Sequence, residues 1–165
     1  MGQRIFIIGN AGSGKTWLAG ELVRKLRAPV VHLDELHWLP NFAGERPRPE
    51  RDRLVDAAAA GDSWIMEGIF GSILRQVLPR VTTLVWLDLS EEECVANLMQ
   101  RGQTDGGTDA QFQELLDYAR GYRLRRDHPN SFDGHWQLFD AFAVERARLL
   151  SRADAAQYLR TFGSA

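Results

Sequence analysis

The chain has 165 residues, 44% of them hydrophobic and 25% charged, enough for one domain with a continuous core. A formal net charge of −2 supplies no overall positive field, which argues against nucleic acid or an anionic membrane surface as partner. Cys94 is the only cysteine, which excludes an intrachain disulfide, and no apolar stretch approaches the roughly 20 residues of a spanning helix.

The N-terminus lacks the charged, apolar, small-residue layout of a signal peptide, so the expected location is cytoplasmic. Residues 4–8, RIFII, form an apolar run stopped by Gly9 and read as a strand buried on both faces. From Gly14 to Arg27 the period changes: Leu18, Leu22, Val23 and Leu26 recur at helical spacing. Pro29 ends that helix, and VVHLD (30–34) is a second strand. Residues 35–48 read as irregular, with a helix predicted from about Glu50 to Ala60.

SWIMEG (63–68) and TTLVWLDL (82–89) are the third and fourth strands. Ser90 and Glu93 form a capping box that opens a helix over 91–101, and Thr108 with Gln111 repeats the signature for a helix over roughly 109–126. A polar loop (127–134), a short helix in HWQLFDAF, a strand in RARLL (146–150) and a helix in ADAAQYLRTF complete the chain. Strands alternating with helices imply an α/β fold with a parallel sheet covered on both faces. Neither repeats nor a linker divide residues 1–165, which read as a single domain.

Gly9-Asn10-Ala11-Gly12-Ser13-Gly14-Lys15-Thr16 matches the G-x-x-x-x-G-K-S/T phosphate-binding loop and lies between a predicted strand and a predicted helix, the context this motif requires. Glycines let several backbone N–H groups converge on a phosphate, and the helix behind them adds the positive end of its dipole. Lys15 reaches β- and γ-phosphates, and the Thr16 hydroxyl coordinates Mg²⁺. The expected ligand is therefore a nucleoside triphosphate with Mg²⁺.

In an open parallel sheet, ligands bind beyond the carboxyl ends of the strands. Asp34, Glu67 and Asp88 stand there. Asp34 suits either a metal or the proton of an attacking hydroxyl, and Glu67 suits a metal-bound water or the acceptor. Asp88 reads as structural. Transition-state charge calls for arginine, and Arg101 with Arg123 from the cluster YARGYRLRR (118–126) is the expected pair; Arg120 and Arg126 share the helix face of Arg123. Segment 102–135 reads as a lid, hinged at GQTDGGTD (102–109) and PNSFDG (129–134), and segment 35–62 as the acceptor-binding part. Trp38 and Phe42 either sandwich a flat acceptor or plug the gap between loop and sheet. His37 alone carries no catalytic signal.

IIGNAGSGKT, HLDELHWLP, WIMEG, LVWLDL and LLSRADAAQYL together resemble the small P-loop kinases related to adenylate kinase, most nearly the bacterial FlaR-like, or DNA topology modulation, proteins. The resemblance implies a three-layer P-loop NTPase fold with strand order 2-3-1-4-5, the cofactors ATP and Mg²⁺ in the Gly9–Thr16 loop, and an acceptor over Asp34 and Glu67. It also implies adenine against the backbone near Ser151–Ala153, with Arg152 at the nucleotide. Arg101 matches the second of two arginines that adenylate kinases carry on that helix, and Asn97 stands at the first. Glu67-Gly68 replaces the commoner Asp-Gly, and Ser72 occupies the place of an arginine, with Arg75 nearby. The expected activity is phosphoryl transfer to a small-molecule acceptor; the rival reading is a nucleotide-dependent switch or a DNA-related regulator. Oligomeric state leaves no mark in the sequence.

Overall fold

A computed structural model describes residues 2–103 and 106–163. Five strands, β1 (Arg4–Gly9), β2 (Val30–His32), β3 (Trp64–Gly68), β4 (Thr83–Leu87) and β5 (Glu145–Leu149), pair in parallel in the order β2-β3-β1-β4-β5. Side chains alternate across the sheet. Phe6, Ile8, Trp64, Met66, Leu84 and Trp86 therefore point to one face, and Ile5, Ile7, Ile65, Val85 and Leu87 to the other. β1 lies at the centre, and its Ile5 to Ile8 are fully buried, as a strand covered on both faces must be.

Helices cover both faces. The first is packed by Val55 and Ala59 of α3 (Arg48–Ala59), by Ile73, Leu74 and Val77 of α4 (Gly71–Val77), and by Leu138 and Phe139 of α7 (Phe132–Ala141). The second is packed by Leu18, Ala19 and Leu22 of α1 (Lys15–Leu26), Cys94 of α5 (Glu91–Arg101), and Ala155 and Leu159 of α8 (Arg152–Thr161). Helix α6 (Asp109–Arg120) lies on α5 through Leu116 and Ala119 against Leu98. The fold is the three-layer P-loop architecture expected from the sequence.

Ser90 caps α5 by accepting from the Glu93 N–H, and Thr108 with Gln111 forms the reciprocal box on α6. Three expectations need correction. The second strand stops at His32, because Leu33 already begins helix α2 (Leu33–His37); Asp34 thus stands in a first helical turn inside a segment expected to be irregular beyond it. Helix α4 was not expected, since no capping residue marks its start at Phe70. The helix expected over 109–126 ends at Arg120, where Gly121 follows and Tyr122 turns inward to full burial. Tyr122 Oη accepts from Trp86 Nε1 at 3.1 Å and lies 2.6 Å from His135 Nδ1. That buried anchorage outweighs helical propensity beyond Gly121.

Candidate functional site

The segments that follow the five strands converge on one cavity of about 990 Å³ at the carboxyl edge of the sheet. The loop after β1 forms its floor. Gly12 and Gly14 have φ of 78° and 93°, the left-handed region that favours glycine. At Gly12 a Cβ would also collide with the Cys94 carbonyl of α5, so the loop packs there with no room for a side chain. Asn97 donates to the Gly12 carbonyl at 2.9 Å, holding α5 to the loop where the resemblance places an arginine in adenylate kinases.

Asn10 is fully buried, and its side chain turns away from the cradle. Its Nδ2 donates to the Ala119 carbonyl at 2.9 Å, and its Oδ1 accepts from the Ala11 N–H at 2.8 Å. Asn10 thus ties the loop to the end of α6. Ser13 Oγ is buried without a partner among the described residues, beneath the loop against Gly9. Asn10 thus braces the loop from below, with the Ala11 and Ser13 N–H groups both bonded to it.

Lys15 Nζ donates to the Asn10 carbonyl at 2.8 Å. Burial holds its ammonium pKa below the usual lysine value, while the Glu67 and Asp34 carboxylates pull it back up. Asp34 shows the complementary shift: burial pushes its carboxyl up, and Lys15 opposes that. A triphosphate entering here would compensate the lysine.

Glu67, at the end of β3, is 6% exposed. Its Oε1 accepts from the Thr16 hydroxyl at 3.1 Å and lies 2.7 Å from His32 Nδ1. A hydroxyl that donates to a carboxylate keeps its lone pairs for a cation. Among the described residues no three His, Cys, Asp or Glu side chains cluster as a metal cage. That donor set fits Mg²⁺, which keeps several waters and takes one or two protein oxygens beside phosphates. His32 carries no motif, but the β2–β3 register sets it directly beside Glu67.

The two expected arginines part company. Arg101, in the last turn of α5, lines the cavity, and among the described residues nothing pairs with its guanidinium. Arg123 lies in the turn after α6, outside the residues that line the cavity. Its guanidinium bonds Asp88 at 2.6 Å and Glu91 at 2.7 Å, and its N–H donates to Glu91 at 3.0 Å. Asp88 also holds Arg148 at 2.6 Å, so its structural reading fits. Because α6 ends early, Arg120, Arg123 and Arg126 do not share one helical face; Arg120 pairs with Asp117 and Arg126 with Asp133.

The lid-like segment is fastened over its second half. Arg125 donates to the Tyr118 and Asn130 carbonyls at 2.6 and 3.1 Å, and Asn130 Oδ1 accepts from the Gly71 N–H at 3.1 Å. PNSFDG is therefore a bonded corner that runs, from the Ser131 cap on, into the first turn of α7, while Thr104 and Asp105 of the other expected hinge lie outside the described residues. Arg152, at the start of α8, lines the cavity with its guanidinium 5.8 Å from the Trp17 ring centre. Trp17, next to Thr16, also lines the cavity, and no sequence motif marks it. Trp38 and Phe42 both line the cavity, with His37 between Trp38 and Phe70.

Among the described residues, no helix is long and apolar enough to cross a membrane. No protein family profile matches the chain. An uncharacterised Bacillus subtilis (strain 168) protein, YqaC, is 30% identical over 69 residues, 41% of this chain and 39% of that protein, so the match spans about two-fifths of each. Solved structures resemble it over nearly its whole length. A shikimate kinase from Bacteroides thetaiotaomicron superposes with a TM-score of 0.59 at 17% identity, covering 98% of this chain and 97% of its own. A sugar kinase from Janibacter sp. HTCC2649 gives 0.57 at 13% identity, covering 97% and 91%. A deoxyadenosine kinase from M. mycoides gives 0.55 at 12%, covering 99% and 100%. At such identities the likeness shows the fold, and that fold is the one these P-loop kinases share.

Proposed function

We propose that the chain is an ATP-dependent phosphotransferase that moves the γ-phosphate of Mg-ATP to a small acceptor. One observation carries the reading: Lys15, Thr16, Asp34 and Glu67 line a single cavity with a G-x-x-x-x-G-K-T loop at its floor. The loop amides other than those of Ala11 and Ser13, together with the Lys15 ammonium, bind the β- and γ-phosphates. Thr16, oriented by Glu67, would hold Mg²⁺, which would neutralise phosphate charge, and Asp34 lines the same cavity. Asp34 orients the acceptor hydroxyl and takes its proton. Arg101 stabilises the charge that spreads over the moving phosphoryl group. Arg152 flanks the base, and Arg123 acts from outside, holding the turn after α6.

The neighbours' names, a shikimate kinase, a sugar kinase and a deoxyadenosine kinase, support a small acceptor. ADP formation by the purified protein with Mg-ATP, across nucleosides, nucleotides, sugars and cyclic alcohols, tests the reading. One class of acceptor should stimulate turnover strongly, and Lys15→Ala should abolish that stimulation. Equal turnover by Lys15→Ala would refute it.

A further inference from the structure

The segments that line the cavity differ in charge. The phosphate loop, the end of α5 and the start of α8 bring Lys15, Arg101 and Arg152. Helix α2, the turn after it and the residues behind β3 bring Asp34, His37 and Glu45 beside the aromatic rings of Trp38, Phe42 and Phe70. Among the described residues, this second group of segments adds no lysine or arginine to the lining.

The cations nearest to it in the chain are committed elsewhere. Arg46 donates to the Leu36 carbonyl at 2.9 Å and to Glu50 at 2.6 Å. Arg51, largely buried, donates to Asp52 at 2.7 Å. Arg48 and Arg75 line a neighbouring cavity of about 520 Å³, which meets the first only at His128 and also holds Asp127 and Asp133.

His37 packs against Phe70 with ring centres 4.3 Å apart and planes tilted by 31°, and lies edge-on to Trp38 at 4.7 Å. Its Nε2 is 3.7 Å from Glu45 Oε1, beyond hydrogen-bond range, and the Glu45 side chain is 68% exposed. That carboxylate is therefore open to another donor. Flat apolar surface flanked by carboxylates suits a ring with several hydroxyls: C–H faces stack on the aromatic rings while hydroxyls donate to the acids. An anionic group in the same place would meet Asp34 and Glu45, while Lys15 and Arg101, the cations whose charge reaches Asp34, are those a bound triphosphate takes up, and like-charge juxtaposition excludes wrong partners.

We propose that the acceptor is an uncharged polyhydroxylated ring, of the sugar or nucleoside kind, bound by Asp34 and Glu45 over Trp38 and Phe42, and that phosphorylated or carboxylated analogues are rejected. This rests on the phosphotransferase reading and names its substrate class. In the step it implies, the acceptor hydroxyl oxygen bonds to the γ-phosphorus of ATP as the bond from that phosphorus to the β–γ bridging oxygen breaks. ADP leaves, and the hydroxyl proton passes to Asp34. The products are a phosphate monoester and ADP.

Matched pairs test it: adenosine against its 5′-monophosphate, glucose against glucose 6-phosphate and gluconate, each with Mg-ATP. The uncharged member should be turned over with kcat/KM at least about 100-fold higher, the discrimination expected when a site leaves charge unpaired. Glu45→Gln should raise KM for that member about tenfold, with a smaller change in kcat. Glu45→Lys should narrow the gap between the members of each pair. Preference for the charged members would overturn the proposal.

Thermal unfolding with Mg-ADP plus each compound supplies a second readout, independent of turnover. Stabilisation by an uncharged polyol supports the proposal. Stabilisation by the charged members alone, or by none at millimolar concentration, overturns it. Stabilisation by Mg-ATP without acceptor reports separately on the donor loop, so failure of the acceptor class and failure of the phosphotransferase reading remain distinguishable.

Discussion

Two polar clusters sit at the carboxyl edge of this sheet, and they are built to opposite ends. Around Asp88 the groups complete one another: Arg123 and Arg148 take its two oxygens, and Glu91 takes the rest of Arg123. Around Lys15 the groups are left incomplete. Lysine rests on a backbone carbonyl, Thr16 keeps its lone pairs, and Arg101 has no partner among the described residues. A closed cluster holds the fold, and an open one waits for a ligand. The lesson is that a charged residue's duty follows from whether its neighbours already satisfy it.

The sharpest break between the clusters comes from Lys15→Ala. It should lower kcat/KM by roughly 10²–10³-fold, the usual loss when one charge-stabilising donor goes. Its melting temperature should hold or rise, because burial disfavours the ammonium. A stopped assay together with a thermal scan reads both.

Asp88→Asn should do the reverse. Removing a buried carboxylate that holds two arginines should cost about 2–3 kcal/mol in denaturant unfolding, less than a fully buried pair because both arginines remain about a third exposed. Turnover per folded molecule should change little.

The comparison narrows to a single residue type with Arg101→Ala and Arg123→Ala. The first should lower kcat by about 10²-fold or more at near-native stability, as loss of a charge-neutralising arginine does. The second should lower stability by about 1–2 kcal/mol with kcat nearly kept. Equal kinetic losses would mean the second half of the lid-like segment also reaches the phosphates.

Glu67→Gln sharpens the metal side. It should raise the Mg²⁺ concentration for half-maximal activity about tenfold, since the residue orients Thr16 from behind.

The smallest effect is a pH dependence. The folded-state pKa of Asp34 is raised, so above its ordinary value of 3.8 the folded protein binds more protons than the unfolded chain. Stability in the ligand-free protein therefore falls as pH rises from 3.8 through the raised value, and Asp34→Asn should flatten that part of the profile.

Much of this was legible in the sequence, because its signals are local. The apolar run before Gly9 gave a central strand, the Ser90 cap and the Thr108–Gln111 capping box marked the starts of α5 and α6, and the loop motif located the cradle. The site's duties were less legible where they depend on distant partners. Arg123 is separated from Asp88 by 35 residues and from Glu91 by 32, and no local pattern announces either pairing. His32 becomes part of the site only through its register beside Glu67. Asn10 occupies a loop position that suggests phosphate contact, yet its side chain reaches 109 residues along the chain to Ala119. Helix α4 has neither cap nor length to declare itself, and tertiary packing of Ile73, Leu74 and Val77 supplies what propensity does not.

Titration calorimetry of Mg-ATP into the purified protein tests the central claim most directly, run in parallel on Lys15→Ala and Arg123→Ala. The open-cluster account predicts one saturable site in the native protein, retained in Arg123→Ala and lost or weakened at least about tenfold in Lys15→Ala, the loss expected for a charge-assisted contact. Binding unchanged in Lys15→Ala, or no binding by the native protein, would contradict it.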